Sequence, residues 1–285
     1  MSTQLFTPGL HAGVAEAEYR ADPGLNASIV KEGMGEEGSL AAMRWAMQNP
    51  KPATDAMELG TLFHALVLEP DTFLDRVAIW DGDRRGKAYA EFEAENAGRI
   101  IIKPDQHTAL ARMRDSVMDH PYARALVTGK GMREAVAIWD AKGGVRCKAR
   151  IDFLNEELGV LVDLKTARTC NPRVWARQSA VALKYDVQEA WYRWGFNRVT
   201  KRPCTMAFVV VENQGRHRCR VLTIPPDAVR DAANAIDGLV SQWSAALASG
   251  VYPDLPTNDP TEIEWPAWAG RTAPAGVMSD DDVPF

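Results

Sequence analysis

Residues 145–166 read VRCKARIDFLNEELGVLVDLKT, and this stretch sets the architecture. Val145–Leu154 alternates as a strand, Asn155–Gly159 turns, and Val160–Thr166 is a second strand. Residues two apart on a strand face the same side. Asp163 and Lys165 therefore point into one place, with Leu164 facing the opposite layer. Asp152 joins them if the hairpin register brings the strands together. Leu161, Val162 and Leu164 make the second strand central and buried, and charges on a buried strand need partners.

Outward from this hairpin the periods continue. Ala135–Asp140 is a preceding strand, joined by a turn at Gly143-Gly144, so the three form an antiparallel meander. Asn171-Pro172 opens a helix, a capping residue followed by proline at the first helical position. The helix breaks near Tyr185-Asp186 and runs to about Arg198. Met206–Val211 and Cys219–Ile224 pair across Asn213–Arg216, and Pro226-Asp227 opens a last helix to Ser249. Upstream, Asp55–Leu68 reads as a helix capped by Asp55, with Glu58 completing a capping box. Two further helices fall near Lys87–Ala97 and Pro104–Asp119. The order β-β-β-α-β-β-α behind a helical lead predicts an α/β protein with a mixed central sheet flanked by helices.

The chain of 285 residues is 46% hydrophobic and 25% charged, so it can build a sizeable core in one or two domains. It has no run of 18 apolar residues for a membrane span and no basic-then-apolar leader. The cysteines at 147, 170, 204 and 219 lack the spacing of a zinc ribbon or iron–sulfur site, and a reducing cytoplasm is the expected location. The net charge of −5 comes from the end of the chain: residues 253–285 hold seven acids and one base, leaving 32 bases and 31 acids elsewhere. A near-neutral body still allows local basic clusters to bind nucleic acid. We expect a domain over 1–252, with a helical lead over 1–130 and a catalytic core over 131–252. Residues 253–285, with six prolines and no period, read as a flexible acidic tail.

Two carboxylates facing one point repel unless a cation lies between them, and oxygen donors select Mg²⁺ or Mn²⁺. Such a metal can acidify a water and neutralise a phosphodiester. A neighbouring lysine can orient that water, help deprotonate it, or stabilise the phosphorane charge. Alone, Asp163-x-Lys165 reads as a solvated face. Gln188 and Tyr192 share a helix face. His64 alone reads as a core histidine, and Gly60, four residues before it, leaves room for a close approach. Glu134 alone reads as an exposed acid before the first strand.

In order, Gly60-x-x-x-His64, Glu134, Asp152, Asp163-x-Lys165 and Gln188-x-x-x-Tyr192 resemble the RecB-like branch of the PD-(D/E)xK nucleases. More narrowly they resemble the RecE (exonuclease VIII) family of phage and prophage exodeoxyribonucleases, over about residues 8 to 225. The resemblance implies a PD-(D/E)xK-like fold, with His64, Asp152, Asp163 and the Leu164 carbonyl as metal ligands. It implies that Lys165 acts on the attacking water, that Glu134 holds metal-bound water or a second metal, and that Gln188 and Tyr192 support the site and the DNA backbone. Ser28 falls where relatives carry a serine near the 5′-phosphate. Ile151 departs from the family's proline. Relatives digest duplex DNA from the 5′ end, leave a 3′ overhang for an annealing protein, and assemble as rings. By proximity to these motifs, Arg44, Lys148, Arg150, Arg168, Arg173 and Lys184 are the candidate basic lining for DNA.

The last six residues, Asp280, Asp281, Asp282, Val283, Pro284 and Phe285, resemble the acidic tip of single-stranded DNA-binding protein. That suits docking on an annealing protein or a host repair protein, with Phe285 in an apolar pocket and the acids on a basic rim. The expected activity is a Mg²⁺-dependent exodeoxyribonuclease acting on linear double-stranded DNA. The alternatives are a restriction-type endonuclease, which would nick closed circles, and a non-enzymatic recombination adaptor, which would lack a ligand set.

Overall fold

The computed structural model describes residues 6–52 and 54–256. The N-terminal part contains β1 (Gly9–His11), α1 (Glu16–Ala21), α2 (Ala27–Glu32), α3 (Leu40–Gln48), α4 (Asp55–Leu68), α5 (Phe73–Arg76), β2 (Val77–Ile79), α6 (Gly86–Glu95), β3 (Ile100–Ile102), α7 (Pro104–Asp119) and α8 (Pro121–Thr128). The second part runs β4 (Gly131–Asp140), β5 (Arg146–Asn155), β6 (Val160–Ala167), α9 (Pro172–Trp175), a π-helical turn (Ala176–Val181), α10 (Tyr185–Thr200), β7 (Thr205–Glu212), β8 (Cys219–Leu222) and α11 (Pro226–Ser249). The expected element order is present. The break before α10 is Lys184, whose φ of +52° stops one helix and starts the next. The cap of α4 is Thr54 rather than Asp55: its hydroxyl accepts from the Met57 N–H. The strands β1, β2 and β3 span three residues each, too few to show a period.

The main sheet has the order β1-β4-β5-β6-β7-β8, with β6 and β7 parallel and the other pairs antiparallel. Alternation along β6 and β7 sorts side chains onto two faces. Val162, Leu164, Ala207, Val209 and Val211 pack against α4, α7 and α8, whereas Leu161, Phe208 and Val210 pack toward α9 and α10. Helix α10 lies close on β4 because residue 195 is glycine. A Cβ there would come within 2.5 Å of the buried Trp139 ring, which packs against Trp191 and Trp194.

The β5–β6 ladder pairs Asn155 with Val160, Leu154 with Leu161 and Phe153 with Val162, and then stops. Asp152 and Asp163 would be next, but the strands fork there. β6 keeps its full pairing to β7 over eight residues, so β5 is the strand that leaves. The N-terminal segment takes the vacated edge of β5: Leu25 N–H donates to Arg146 O (2.9 Å), and Lys148 N–H donates to Leu25 O (2.7 Å).

Three side chains fix that segment. The Arg146 guanidinium grips the buried Asp22 carboxylate through Nε (2.9 Å) and Nη2 (2.5 Å). The Lys148 ammonium donates to Tyr19 O (2.8 Å) and to Asp22 O. Lys148 is only 4% exposed, so its cation holds the N-terminal segment and does not line a DNA-facing surface as expected from the sequence. By alternation Lys148 shares a face with Arg150 and Asp152, but the carbonyls of Tyr19 and Asp22, which no local pattern signals, take its ammonium.

At the other end, Pro253 O accepts from Ala41 N–H (3.1 Å) and Ser39 Oγ donates to Asp254 (2.7 Å). The chain is thus tied to the body two residues beyond the expected boundary at 252. The tip Asp280 to Phe285 and most of the expected tail lie outside the described residues. No helix among the described residues is long and apolar enough to cross a membrane.

Asp22→Ala should leave the Arg146 cation buried without its carboxylate. Removing one partner of a buried pair costs about 3–5 kcal/mol, so the urea midpoint should drop sharply. An unchanged midpoint would contradict this account of how the fork is filled.

Candidate metal centre

The fork leaves the backbone of Leu164 without a β5 partner, and two side chains answer it. The Leu164 N–H donates to Asp152 Oδ2 (2.8 Å). The Leu164 carbonyl lies 2.8 Å from His64 Nε2, and since a carbonyl only accepts, this assigns the proton to Nε2. His64 Nδ1 is then left as a lone pair, 3.5 Å from Asp152 Oδ2. One buried residue, Leu164, thus orients both a carboxylate and an imidazole, the outer-shell arrangement common around metal ligands.

Glu134 completes the group: ligand atoms of His64, Glu134 and Asp152 all lie within 4.8 Å of one another. Glu134 sits inside β4, not before it as expected. The β4–β5 register pairs Arg133 with Phe153 and Ala135 with Ile151, but the facing residues Glu134 and Asp152 make no ladder pair. Glu134 has φ +49°, a left-handed conformation that costs a non-glycine residue about 1–3 kcal/mol and concentrates at functional sites. Arg150 Nε pairs with Glu134 Oε2 at 2.6 Å, so this arginine belongs to the centre itself.

Asp163 stands beside this group. It is 2% exposed, and its oxygens are taken by the Lys165 ammonium and by Gln188 Nε2 from α10. Gln188 Oε1 accepts in turn from Lys31 Nζ of α2 (3.4 Å). Lys31 and Lys165 both lie over the Tyr185 ring, at 5.1 and 5.0 Å. Lys184 donates to the carbonyls of Lys31 (2.7 Å) and Met34 (2.6 Å), which fixes the end of α2. Nothing in the local sequence sets Lys31 or Tyr185 apart; only the packing of α2 on α10 brings them here. Tyr192 is half-buried on the same helix as Gln188.

The charges are held out of water, and their acidities show it. Burial, then the neighbouring Asp163, pushes the Asp152 carboxyl up to about 7. Burial, then Asp152, also raises Glu134. Burial, helped by Lys165, lowers His64 and keeps its imidazole neutral, as a ligand must be. Burial disfavours the Lys165 ammonium, but Asp163 and Asp152 outweigh it and hold its pKa above the usual lysine range. Burial, then Lys165, pulls Lys31 down to about 8. Two crowded acids facing an unprotonated imidazole nitrogen form a donor set that fits a divalent cation.

Of the other expected residues, Ser28 is exposed on α2 and Arg168 is exposed just past β6. Arg173 is exposed on α9. Arg44 is exposed on α3 and lies over the Tyr252 ring at 4.4 Å. A Cβ on Gly60 would meet nothing within 4 Å, so no close neighbour requires glycine there. Ile151 is buried opposite Ala135, in a strand position that a proline would deprive of its N–H.

The fold is similar to that of a "putative exonuclease" from Eubacterium rectale, with a TM-score of 0.60 and 14% identity over 86% of this chain and 90% of that one. A phage-related exonuclease from Haemophilus somnus 129PT gives a TM-score of 0.35 and 12% identity over 80% of this chain and 96% of that one. No curated protein matches. At 14% identity the first likeness is one of fold: a mixed central sheet flanked by helices, of the PD-(D/E)xK type. The family profile DUF3799, a PDDEXK-like domain of unknown function, matches residues 28–257, which include strands β4 to β8 and every side chain of the centre. The chain belongs to this DUF3799 family of PDDEXK-like domains.

Proposed function

We propose that the protein is a Mg²⁺-dependent exodeoxyribonuclease, with Mn²⁺ able to substitute, that digests linear double-stranded DNA from its 5′ ends and leaves 3′ overhangs. The observation that carries metal-dependent cleavage is the convergence of His64, Glu134 and Asp152 within 4.8 Å beside the Asp163–Lys165 pair. The end preference and polarity are supported by the ordered motifs that resemble the RecE family. On the same ground we propose a ring of protomers, and an annealing or host repair protein docked on the tip Asp280 to Phe285.

His64, Glu134 and Asp152 would hold the cation, with Asp163 and the Leu164 carbonyl adjoining. A divalent cation there supplies an acidified water and charge neutralisation at the phosphodiester. The Leu164 N–H and C=O fix the direction of Asp152 and His64, so both side chains are oriented before substrate arrives. Lys165 keeps its proton at neutral pH, held by Asp163 and Asp152. It is therefore placed to donate to phosphate oxygens, steady developing negative charge or orient the attacking water. Gln188 and Lys31 hold the far side of Asp163 and keep that carboxylate aimed at Lys165.

The acid pair gives a definite pH dependence. Asp152 has a folded pKa raised to about 7 from an ordinary 3.8. Between these values the folded state binds more protons than the unfolded one, so stability falls as pH rises through the interval. The neutral side chain of Asp152→Asn escapes this loss and can still accept from Leu164. In EDTA, the melting-point advantage of that variant over wild type should be smallest near pH 4 and larger at pH 8. Mn²⁺ should raise the wild-type melting point at pH 8 and leave the variant's nearly unchanged. A variant less stable than wild type at both pH values would contradict the crowded-acid reading.

Asp152→Asn and Lys165→Ala should each lower DNA hydrolysis by at least about 100-fold, as loss of a charge-stabilising group does, with the fold retained by circular dichroism. On blunt duplex labelled at a single end, wild type should shorten strands progressively from the 5′ terminus and leave closed circles intact. Loss from the 3′ terminus would overturn the polarity, and nicking of closed circles would favour a restriction-type endonuclease.

A further inference from the structure

Two clefts among the described residues differ in chemistry. The cleft at the metal centre is rich in acids, adding Glu16 and Glu69 to Glu134 and Asp152. The second cavity, about 450 Å³, lies beyond the end of β6, between the approach to α9, the α7–α8 junction and the β7–β8 hairpin. Three guanidiniums line it, those of Arg216, Arg218 and Arg220, against a single acid, Asp119.

The hairpin carries those arginines and holds one of them, Arg218, by a buried acid. Its turn contains Gly215 at φ +70° and, unusually, His217 at φ +52°. His217 is buried and its Nδ1–H donates to Glu212 O (2.9 Å). A left-handed histidine persists only where its surroundings impose it, and it places Arg216 and Arg218 on either side of itself. The buried Glu212 carboxylate takes Arg218 through Nε (2.9 Å) and Nη2 (2.7 Å). Arg216 has no partner among the described residues.

The remaining polar groups of the wall are also donors. His120 Nδ1 accepts from the Ala123 N–H (3.2 Å), which leaves its Nε2–H free. Asn171 Oδ1 accepts from the Arg173 and Val174 N–H groups (3.1 and 3.4 Å), which leaves its amide NH₂ free. A cavity lined by donors and short of acceptors suits an oxyanion with several oxygens.

Its place relative to the metal centre is set by β6. Asn213 N–H donates to Ala167 O (2.9 Å), which joins the hairpin to the end of that strand. Asp163 lies four residues earlier, about 13 Å at ~3.3 Å per residue. We propose that the arginine cavity is an accessory phosphate clamp, gripping the DNA backbone away from the bond cut at the metal centre. This rests on the nuclease reading above. A free mononucleotide shares the phosphate chemistry, and the test separates the two.

The test is binding of the full chain to fluorescein-labelled duplex, followed by anisotropy across a KCl series with Ca²⁺ replacing Mg²⁺. Arg216→Ala/Arg220→Ala removes two cavity cations and keeps Arg218, whose pair with Glu212 shapes the hairpin. The slope of log K against log[KCl] should fall by about 2, since each phosphate contact contributes ~0.9, and affinity should drop roughly tenfold at moderate salt. Arg216→Gln/Arg220→Gln, which retains most of the side-chain volume, should behave the same. The control Arg85→Ala/Arg99→Ala, on exposed positions of the α6 region, should keep the wild-type slope. A wild-type slope in both cavity variants would overturn the clamp while leaving the nuclease reading intact. Loss of thymidine monophosphate binding with an unchanged DNA slope would also overturn it, in favour of a mononucleotide site. Wild-type protein that binds no duplex would overturn both readings together.

Discussion

The end of the β5–β6 ladder at Phe153–Val162 governs everything around the candidate centre. A sheet that continued its pairing would satisfy Leu164 with β5 backbone, and Asp152 and Asp163 would be two repelling acids with no task. Because β5 leaves, the Leu164 N–H and C=O must be satisfied by something else, since a buried peptide group without a partner is costly. Asp152 and His64 meet that demand. The same departure exposes the β6-facing edge of β5 near Arg146, which Leu25 covers and which Asp22, Arg146 and Lys148 secure. A single divergence of strands therefore positions ligands on one side and anchors the N-terminal segment on the other.

The centre holds charge where charge is expensive. Asp163 is buried with Lys165 against it, Glu134 adopts a left-handed backbone beside Asp152, and both acids of that pair are harder to ionise than free carboxylates. Well-packed apolar residues would cost less. The arrangement is reasonable if the cost is recovered when a cation enters between the acids, because the repulsion that raises their pKa then becomes attraction to the metal. Lys165 fits the same view: the neighbouring acids keep it protonated, so its contribution is positive charge fixed before substrate binds.

Much of this was legible in the residues. The alternation in Val145–Thr166 gave the hairpin, and the two-residue period put Asp163 and Lys165 on one face. Gly143-Gly144, Asn171-Pro172 and Pro226-Asp227 marked turns and helix starts through local backbone chemistry, which needs no tertiary context. What stayed hidden depends on distant contacts. The parallel pairing of β6 with β7 joins segments separated by α10. Lys148 looked available for DNA because nothing nearby reveals that the carbonyls of Tyr19 and Asp22 surround it. Glu134 reads as a simple exposed acid because nothing in the sequence signals its left-handed backbone beside Asp152. Lys31 carried no signal at all, since its role arises where α2 packs on α10.

The central claim is that the fork assembles a divalent-metal site from His64, Glu134 and Asp152. The most direct measurement is anomalous X-ray scattering from crystals of the protein soaked in Mn²⁺. The account predicts an anomalous peak within coordination distance of His64 Nδ1 and of carboxylate oxygens from Glu134 and Asp152. A peak bound elsewhere, or none with these three side chains ordered and accessible, would contradict it.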